Sequence, residues 1–316
     1  MTVLLLACTL LSGIASGCIS GIGGTAKTSE QSIEVPQWQV GQWWMYVFST
    51  PQYGDTTTTL VVAETDAEDG TAYMLGIDSQ SEARKHAVLN FNPFLGRISR
   101  DNLSVFEGGA PQQVFSFPLE KGNQWQFSLF GHDGWDAEVL DVSSGIAVVT
   151  ALSSSGGKIT YTFDAEMGFL SSFYWNDAEG TTQMQMSSAE RRGSAFTGVA
   201  YFVRATDLFD ETYGGLDSEI YDTFFDSGHP SDGEFDHLVW YLDVEISSGG
   251  QGTLMLKDHS GVTPLARVWG PSSSEGSTIG TIPSNSGEYS ITLTLSGSSS
   301  RVHLMIAGGL ETVWEM

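Results

Sequence analysis

Residues whose type and spacing can do chemistry lie in three places along this chain. Near its start, Ala15, Ser16 and Gly17 precede Cys18, just after the apolar run from Val3 to Ile14, and the one other cysteine is Cys8. A thiolate is a strong nucleophile, so an unpaired cysteine here is open to covalent modification. The second place is FDETYGGLDSEIYDTFFDSGHPSDGEFDH, within a span from Arg204 to Lys257 that has twelve acidic residues between its ends and no lysine or arginine. Oxygen-rich, glycine-punctuated loops suit Ca²⁺, which takes about six to eight oxygen ligands; Asp226, Asp232, Glu234 and Asp236 are the candidate ligands. His237 stands where the sharp turn of an EF-hand needs glycine, so that motif fails, and a solvated acidic loop is the competing reading. The third place is aromatic. Trp43, Trp44 and Tyr46, with Trp125 and Phe127, are the candidate surface for an apolar or carbohydrate-like ligand, against the alternative that they pack the core.

Catalytic constellations are weak by comparison. There is no Gly-x-Ser-x-Gly elbow, phosphate loop or dinucleotide fingerprint. His229 and His237 lack metal-helix spacing and a cysteine partner, and His132 with Asp133 makes a triad only on paper. Asp133 and Asp136 offer paired carboxylates for a glycosidase, but they flank Gly134 and read equally well as turn residues. Asn102-Leu103-Ser104 is a glycosylation sequon. The expectation is a protein that is not an enzyme, with a carboxylate-dependent hydrolase or a structural envelope component as the alternatives.

The elements that must position these groups are short alternating runs broken by Gly, Ser, Asn and Asp, so the expected fold class is mostly β. Two stretches share a plan: Pro36, Gly41 and Trp44 match Pro118, Gly122 and Trp125. Further on, Phe91, Gly96, Ile98 and Ser99 match Phe163, Gly168, Leu170 and Ser171 at identical spacing, which suggests an internal duplication. In the strands after the glycines, Trp44, Tyr46 and Phe48 share one face, as do Trp125, Phe127 and Leu129. SSAERRGSAF, from Ser187, reads as a domain boundary. Beyond it, HLVWYLDVEI places Leu238, Trp240, Leu242, Val244 and Ile246 inward and Tyr241, Asp243 and Glu245 outward. The expected plan is a signal peptide over 1–17, a tether over 18–35, a curved antiparallel sheet over 36–188 and a jelly-roll-like β-sandwich over 194–316.

With 38 acidic against 13 basic residues the net charge is −25, which repels nucleic acid and anionic head groups and excludes them as partners of the surface at large. The apolar start is too short to span a bilayer comfortably and has the outline of a secretory signal. The Ala15-Ser16-Gly17-Cys18 segment resembles the lipobox of bacterial and archaeal lipoproteins, although Ala15 replaces the more usual Leu and no basic residue precedes the apolar run. That resemblance implies lipidation of Cys18, which becomes the first mature residue, export, and anchoring to the outer face of the membrane. Cys8 then leaves with the leader and no disulfide remains. The competing reading is an ordinary signal peptide with Cys18 incidental. A tether of this length holds the first domain roughly 20–25 Å from the membrane.

The Pro118-Leu119-x-x-Gly122-x-x-Trp125 element and the later Met167-Gly168-Phe169-Leu170 turn resemble exported half-barrel lipoproteins of the lipoprotein-carrier kind. What this implies is a curved sheet whose concave face holds an apolar ligand. GEYSITLTLSGSSSRVHLMIAG resembles the closing hairpin of pre-peptidase-type and carbohydrate-binding sandwiches. Together these readings lead to the expectation of a membrane-anchored binding module for an apolar or glycan ligand or a protein partner, with Ca²⁺ as its possible cofactor.

Overall fold

The structure, a computed structural model, describes residues 32–52, 54–65, 70–89, 92–215, 218–228 and 234–316. Cys18, Phe91, His229 and Asp232 lie outside the described residues. The chain from Gln31 to Met316 forms one compact unit, and it is mostly β with a single short helix among the described residues.

In chain order the first part contains β1 (Ser32–Ile33), β2 (Trp43–Thr50), β3 (Gly54–Thr65), β4 (Ala72–Ile77), helix α1 (Gln80–Leu89), β5 (Gly96–Ser99), β6 (Val105–Glu107) and β7 (Ala110–Gln112). It continues with β8 (Leu119–Glu120), β9 (Gln124–Leu129), β10 (His132–Ser143), β11 (Ile146–Ser153), β12 (Lys158–Asp164), β13 (Phe169–Asn176) and β14 (Thr182–Gly193). Antiparallel pairing gives the order β4-β3-β2-β14-β13-β12-β11-β10-β9, with β5 beside β4. Register shifts in β3, β10, β12, β13 and β14 add local twist, which curves a sheet this wide. In β2, WWMYVFST alternates half-buried and buried, so Trp44, Tyr46 and Phe48 point to one side into the core. Trp125, Phe127 and Leu129 likewise share a face of β9, increasingly buried along the strand.

The two matched stretches have the same local structure. Gly41 and Gly122 both adopt positive φ, 89° and 86°, and each donates its N–H to a valine carbonyl of the next strand, Val62 at 2.9 Å and Val139 at 2.8 Å. Each valine donates back to the residue after the glycine, Gln42 or Asn123. A register shift follows both valines, at Val62/Glu64 and Val139/Asp141. At the closing turns, Asn92 Oδ1 accepts the N–H of Phe94 at 3.0 Å and Asp164 Oδ1 accepts that of Glu166 at 2.8 Å, ahead of Gly96 and Gly168, both at positive φ. The two stretches part where α1 stands, in chain order, in the place that β12 holds in the second stretch.

The second part contains β15 (Val199–Gly215), β16 (Ser218–Asp226), β17 (His237–Glu245), β18 (Gln251–Lys257), β19 (Leu265–Trp269), β20 (Ser274–Pro283), β21 (Glu288–Ser296) and β22 (Ser300–Glu315). The strands divide between two layers, β15-β22-β17-β20 and β16-β21-β18-β19, which is the jelly-roll order. Leu238, Trp240, Leu242, Val244 and Ile246 face the core between the layers, as their alternation predicts. Tyr241 differs from expectation. It is buried with Val203, Val239 and Ala307 in the core of the first part, because α1 and the curved sheet pack on the outer face of the first layer.

The SSAERRG segment is strand: β14 continues through a register shift to Arg192 and Gly193, which pair with Trp44 and Trp43. The first layer joins the curved sheet through one residue pair, Tyr201 opposite Ile77. The backbones approach so closely there that a Cβ on Gly76 would lie 3.0 Å from the Tyr201 carbonyl. Arg84 of α1 pairs with Glu311 of β22 at 2.9 Å, and Trp314 Nε1 donates to Glu64 at 2.7 Å, tying the same seam.

Candidate functional site

The five expected aromatic ligand contacts fall into three environments. Trp44, Tyr46 and Phe127 are buried in the main core. Trp44 Nε1 donates to the Met167 carbonyl at 2.9 Å and the Tyr46 hydroxyl to that of Leu170 at 2.7 Å, while Trp38 Nε1 takes the Gly168 carbonyl at 2.9 Å. Three carbonyls at the second closing turn are thus held by side chains from the first matched stretch. The concave face is filled by these rings together with Phe94, Phe115, Tyr161, Phe163 and Phe173. Trp125 is half-buried at the rim, donating to the Gln113 carbonyl at 3.0 Å. Trp43 lies on the other side of β2, against Val61, Ala63, Ala200 and Trp314.

Of the expected calcium ligands, Asp226, Glu234 and Asp236 are among the described residues. Asp226 Oδ1 accepts the Gly228 N–H at 2.8 Å, Asp236 Oδ2 accepts that of Glu311 at 2.6 Å, and Glu234 forms an isolated bridge with Gly228. Among the described residues no group of three His, Cys, Asp or Glu could hold a metal ion. Asp136 faces outward from β10, accepting from Gln126 at 2.6 Å.

What the structure does form is a cleft of about 570 Å³ where α1, β5, the β6–β7 hairpin, the end of β9 and β15 meet. That volume lies in the usual range for small-molecule sites. Helix α1 starts here because Ser79 caps it: the Ser79 hydroxyl accepts the Glu82 N–H at 3.3 Å and its carbonyl accepts that of Ala83 at 3.0 Å. Ala83, His86 and Ala87 then sit on one face and line the cleft. Met74 and Leu95, Phe106, Leu129 and Phe130, and Phe202, Val203 and Ala205 supply most of the remaining apolar wall. Phe130 is held by stacking on Trp175 at 4.1 Å. The hairpin forms the rim, its tip turning through Gly108 and Gly109 at positive φ.

Four titratable groups face this cleft. Burial, aided by the charge of Lys85, pulls the His86 imidazole down to about 3, so it is neutral at pH 7; Phe48 meets it edge to face at 4.6 Å. Arg97 lies over the Phe106 ring, 4.9 Å from its centroid. Glu107 Oε1 accepts the Gly131 N–H at 3.0 Å, fastening the hairpin to the end of β9. Arg204 is exposed and makes no ion pair with any described carboxylate. None of these residues stood out in the sequence, although the Ser-x-x-Glu pattern from Ser79 to Glu82 and the position of Arg204 as the last basic residue before the acidic span were available signals.

No family model matches the chain, and no curated protein matches it. Among solved structures, MucB in complex with the periplasmic part of MucA is 10% identical, covering 82% of this chain and 88% of that chain, at a TM-score of 0.26. The Pseudomonas aeruginosa MucA/MucB complex is 11% identical over 81% and 88%, also at 0.26. An exo-β-1,3-galactanase from Phanerochaete chrysosporium with galactose is 9% identical over 79% and 78%, at 0.18. At TM-scores this low, none of them carries an argument about this chain. No helix among the described residues is long and apolar enough to cross a membrane.

Proposed function

We propose that the chain is an exported, Cys18-anchored, non-catalytic binding module whose ligand is apolar and occupies the cleft between the curved sheet and β15. The observation that carries this reading is the cleft itself: about 570 Å³, with apolar side chains from five elements beside the polar groups of His86, Asn92, Arg97, Glu107 and Arg204. It relocates the ligand from the concave aromatic face, which is filled, to that sheet's junction with the sandwich. Anchoring rests on the lipobox-like residues before Cys18. A protein partner and Ca²⁺ stay outside this reading because no described surface or ligand group favours either over the cleft.

The test is titration with the neutral fluorophore N-phenyl-1-naphthylamine. Ala205→Trp and Met74→Trp each place an indole in the cleft from a different wall. Saturable fluorescence enhancement in the wild type, lost in a variant that keeps its melting temperature, supports the proposal. Undiminished enhancement in both variants, or none in the wild type, refutes it.

A further inference from the structure

The lining of the cleft is richer in cations than the protein that contains it. The whole chain is at −25. Among the residues lining the cleft, Arg97 and Arg204 are cationic, Glu107 is acidic and His86 is neutral. Two of only thirteen basic residues are therefore placed around one apolar hollow. Six described cations face carboxylates: Arg84 meets Glu311, Lys85 Glu82, Lys121 Asp141, Arg192 Glu166, Arg267 Glu275 and Arg301 Asp243. Arg204 does not, although acidic residues outnumber basic ones nearly threefold. In so acidic a protein, a guanidinium without a carboxylate beside an apolar wall is an unused donor set matched to carboxylate or phosphate geometry.

From the unpaired Arg204 guanidinium beside this apolar wall, and resting on the apolar-ligand reading above, we infer that the ligand is an anionic single-chain amphiphile. Its chain lies along Ala83, Ala87, Leu129 and Phe130, and its acidic head is held by Arg204 and Arg97. The shared chemistry is a carboxylate or phosphate on an alkyl chain. The net charge does not prevent this, because salt screens distant carboxylates beyond roughly 8 Å at physiological ionic strength while the head sits against the guanidinium groups. It does slow the approach of an anion, so association is expected to quicken with added salt as the head-group preference weakens.

Full-length protein is loaded with N-phenyl-1-naphthylamine, which is then displaced by dodecanoate, dodecyl phosphate or methyl dodecanoate, each below its micellar concentration. The wild type is expected to bind an acid at least about fivefold more tightly than the ester. Arg204→Gln collapses that ratio and Arg204→Lys retains part of it. Glu107→Gln keeps the oxygen that accepts the Gly131 N–H but removes the opposing charge, so it raises the ratio. If Arg204→Gln does not fold, the Glu107→Gln increase and a loss of preference at 1 M NaCl carry the test. A phosphate stronger than the carboxylate points to a phospholipid-derived ligand, and the reverse to a fatty acid; either supports the inference. Equal binding of acid and ester, or a preference unmoved by all the charge variants, overturns it while leaving the apolar-ligand reading intact. Failure of every alkyl ligand and of the fluorophore overturns that reading instead.

Discussion

Tyr46→Phe separates a packing role from a ligand role at one atom. The side chain is 2% exposed, its hydroxyl donates to the Leu170 carbonyl at 2.7 Å, and burial pushes its phenol well above the ordinary value, so the proton is present at any working pH. Removing the oxygen changes the packing volume little but leaves a buried carbonyl without this donor, beside the register shift between β12 and β13 where the ladder is already interrupted. An unmet buried acceptor costs about 1–3 kcal/mol, and for a unit of this size each kcal/mol lowers the melting temperature by about 2–4 °C. Thermal unfolding followed by circular dichroism should therefore show a fall of several degrees, with fluorophore affinity unchanged. An unaltered melting temperature together with weakened fluorophore binding would refute the reasoning, because it would make the concave aromatic face a ligand surface.

Other consequences can be checked as directly. His86 binds its proton at about 3 in the folded chain against an ordinary 6.5, so the stability it contributes as a neutral group is present above about pH 6.5 and is lost as pH falls towards 3. The loss approaches about 1.4 kcal/mol per pH unit in that window, and His86→Phe should flatten the melting temperature there relative to wild type; equal slopes would contradict the burial of a neutral imidazole. Cys18→Ser should move the protein from the membrane fraction to the soluble exported fraction and remove a lipid-sized mass, whereas unchanged fractionation would dismiss the anchor.

The strands were legible wherever a strand has one buried face. Trp44, Tyr46 and Phe48 repeat with period two, and so do Leu238, Trp240, Leu242 and Val244, so their inward faces follow from alternation alone. The matched glycines were legible too, since Gly41, Gly96, Gly122 and Gly168 all turn through positive φ. Burial of the opposite face was not legible. Tyr241 alternates as an outward residue and is covered only because α1, distant in sequence, packs on that layer.

The cleft was invisible for a related reason. Its walls come from residues 74 to 205, most of them ordinary Ala, Leu, Phe and Met, and their meaning depends on how β15 crosses β4 and β5. Gly96 marks that crossing, since a Cβ there would lie 2.5 Å from the Phe202 ring. In the sequence it reads as a turn residue and nothing more. Aromatic density pointed instead to the concave face, where rings of this size fill a core as readily as they line a pocket.

The most direct test of the central claim is photo-crosslinking of the purified protein with a diazirine-bearing alkyl probe, followed by peptide mapping. Adducts on residues 83–87, 95–97 and 202–205, competed by dodecanoate, are predicted. Adducts confined to peptides carrying Trp44, Tyr46 or Phe127, or spread evenly over the surface without competition, would contradict a ligand site between the curved sheet and β15.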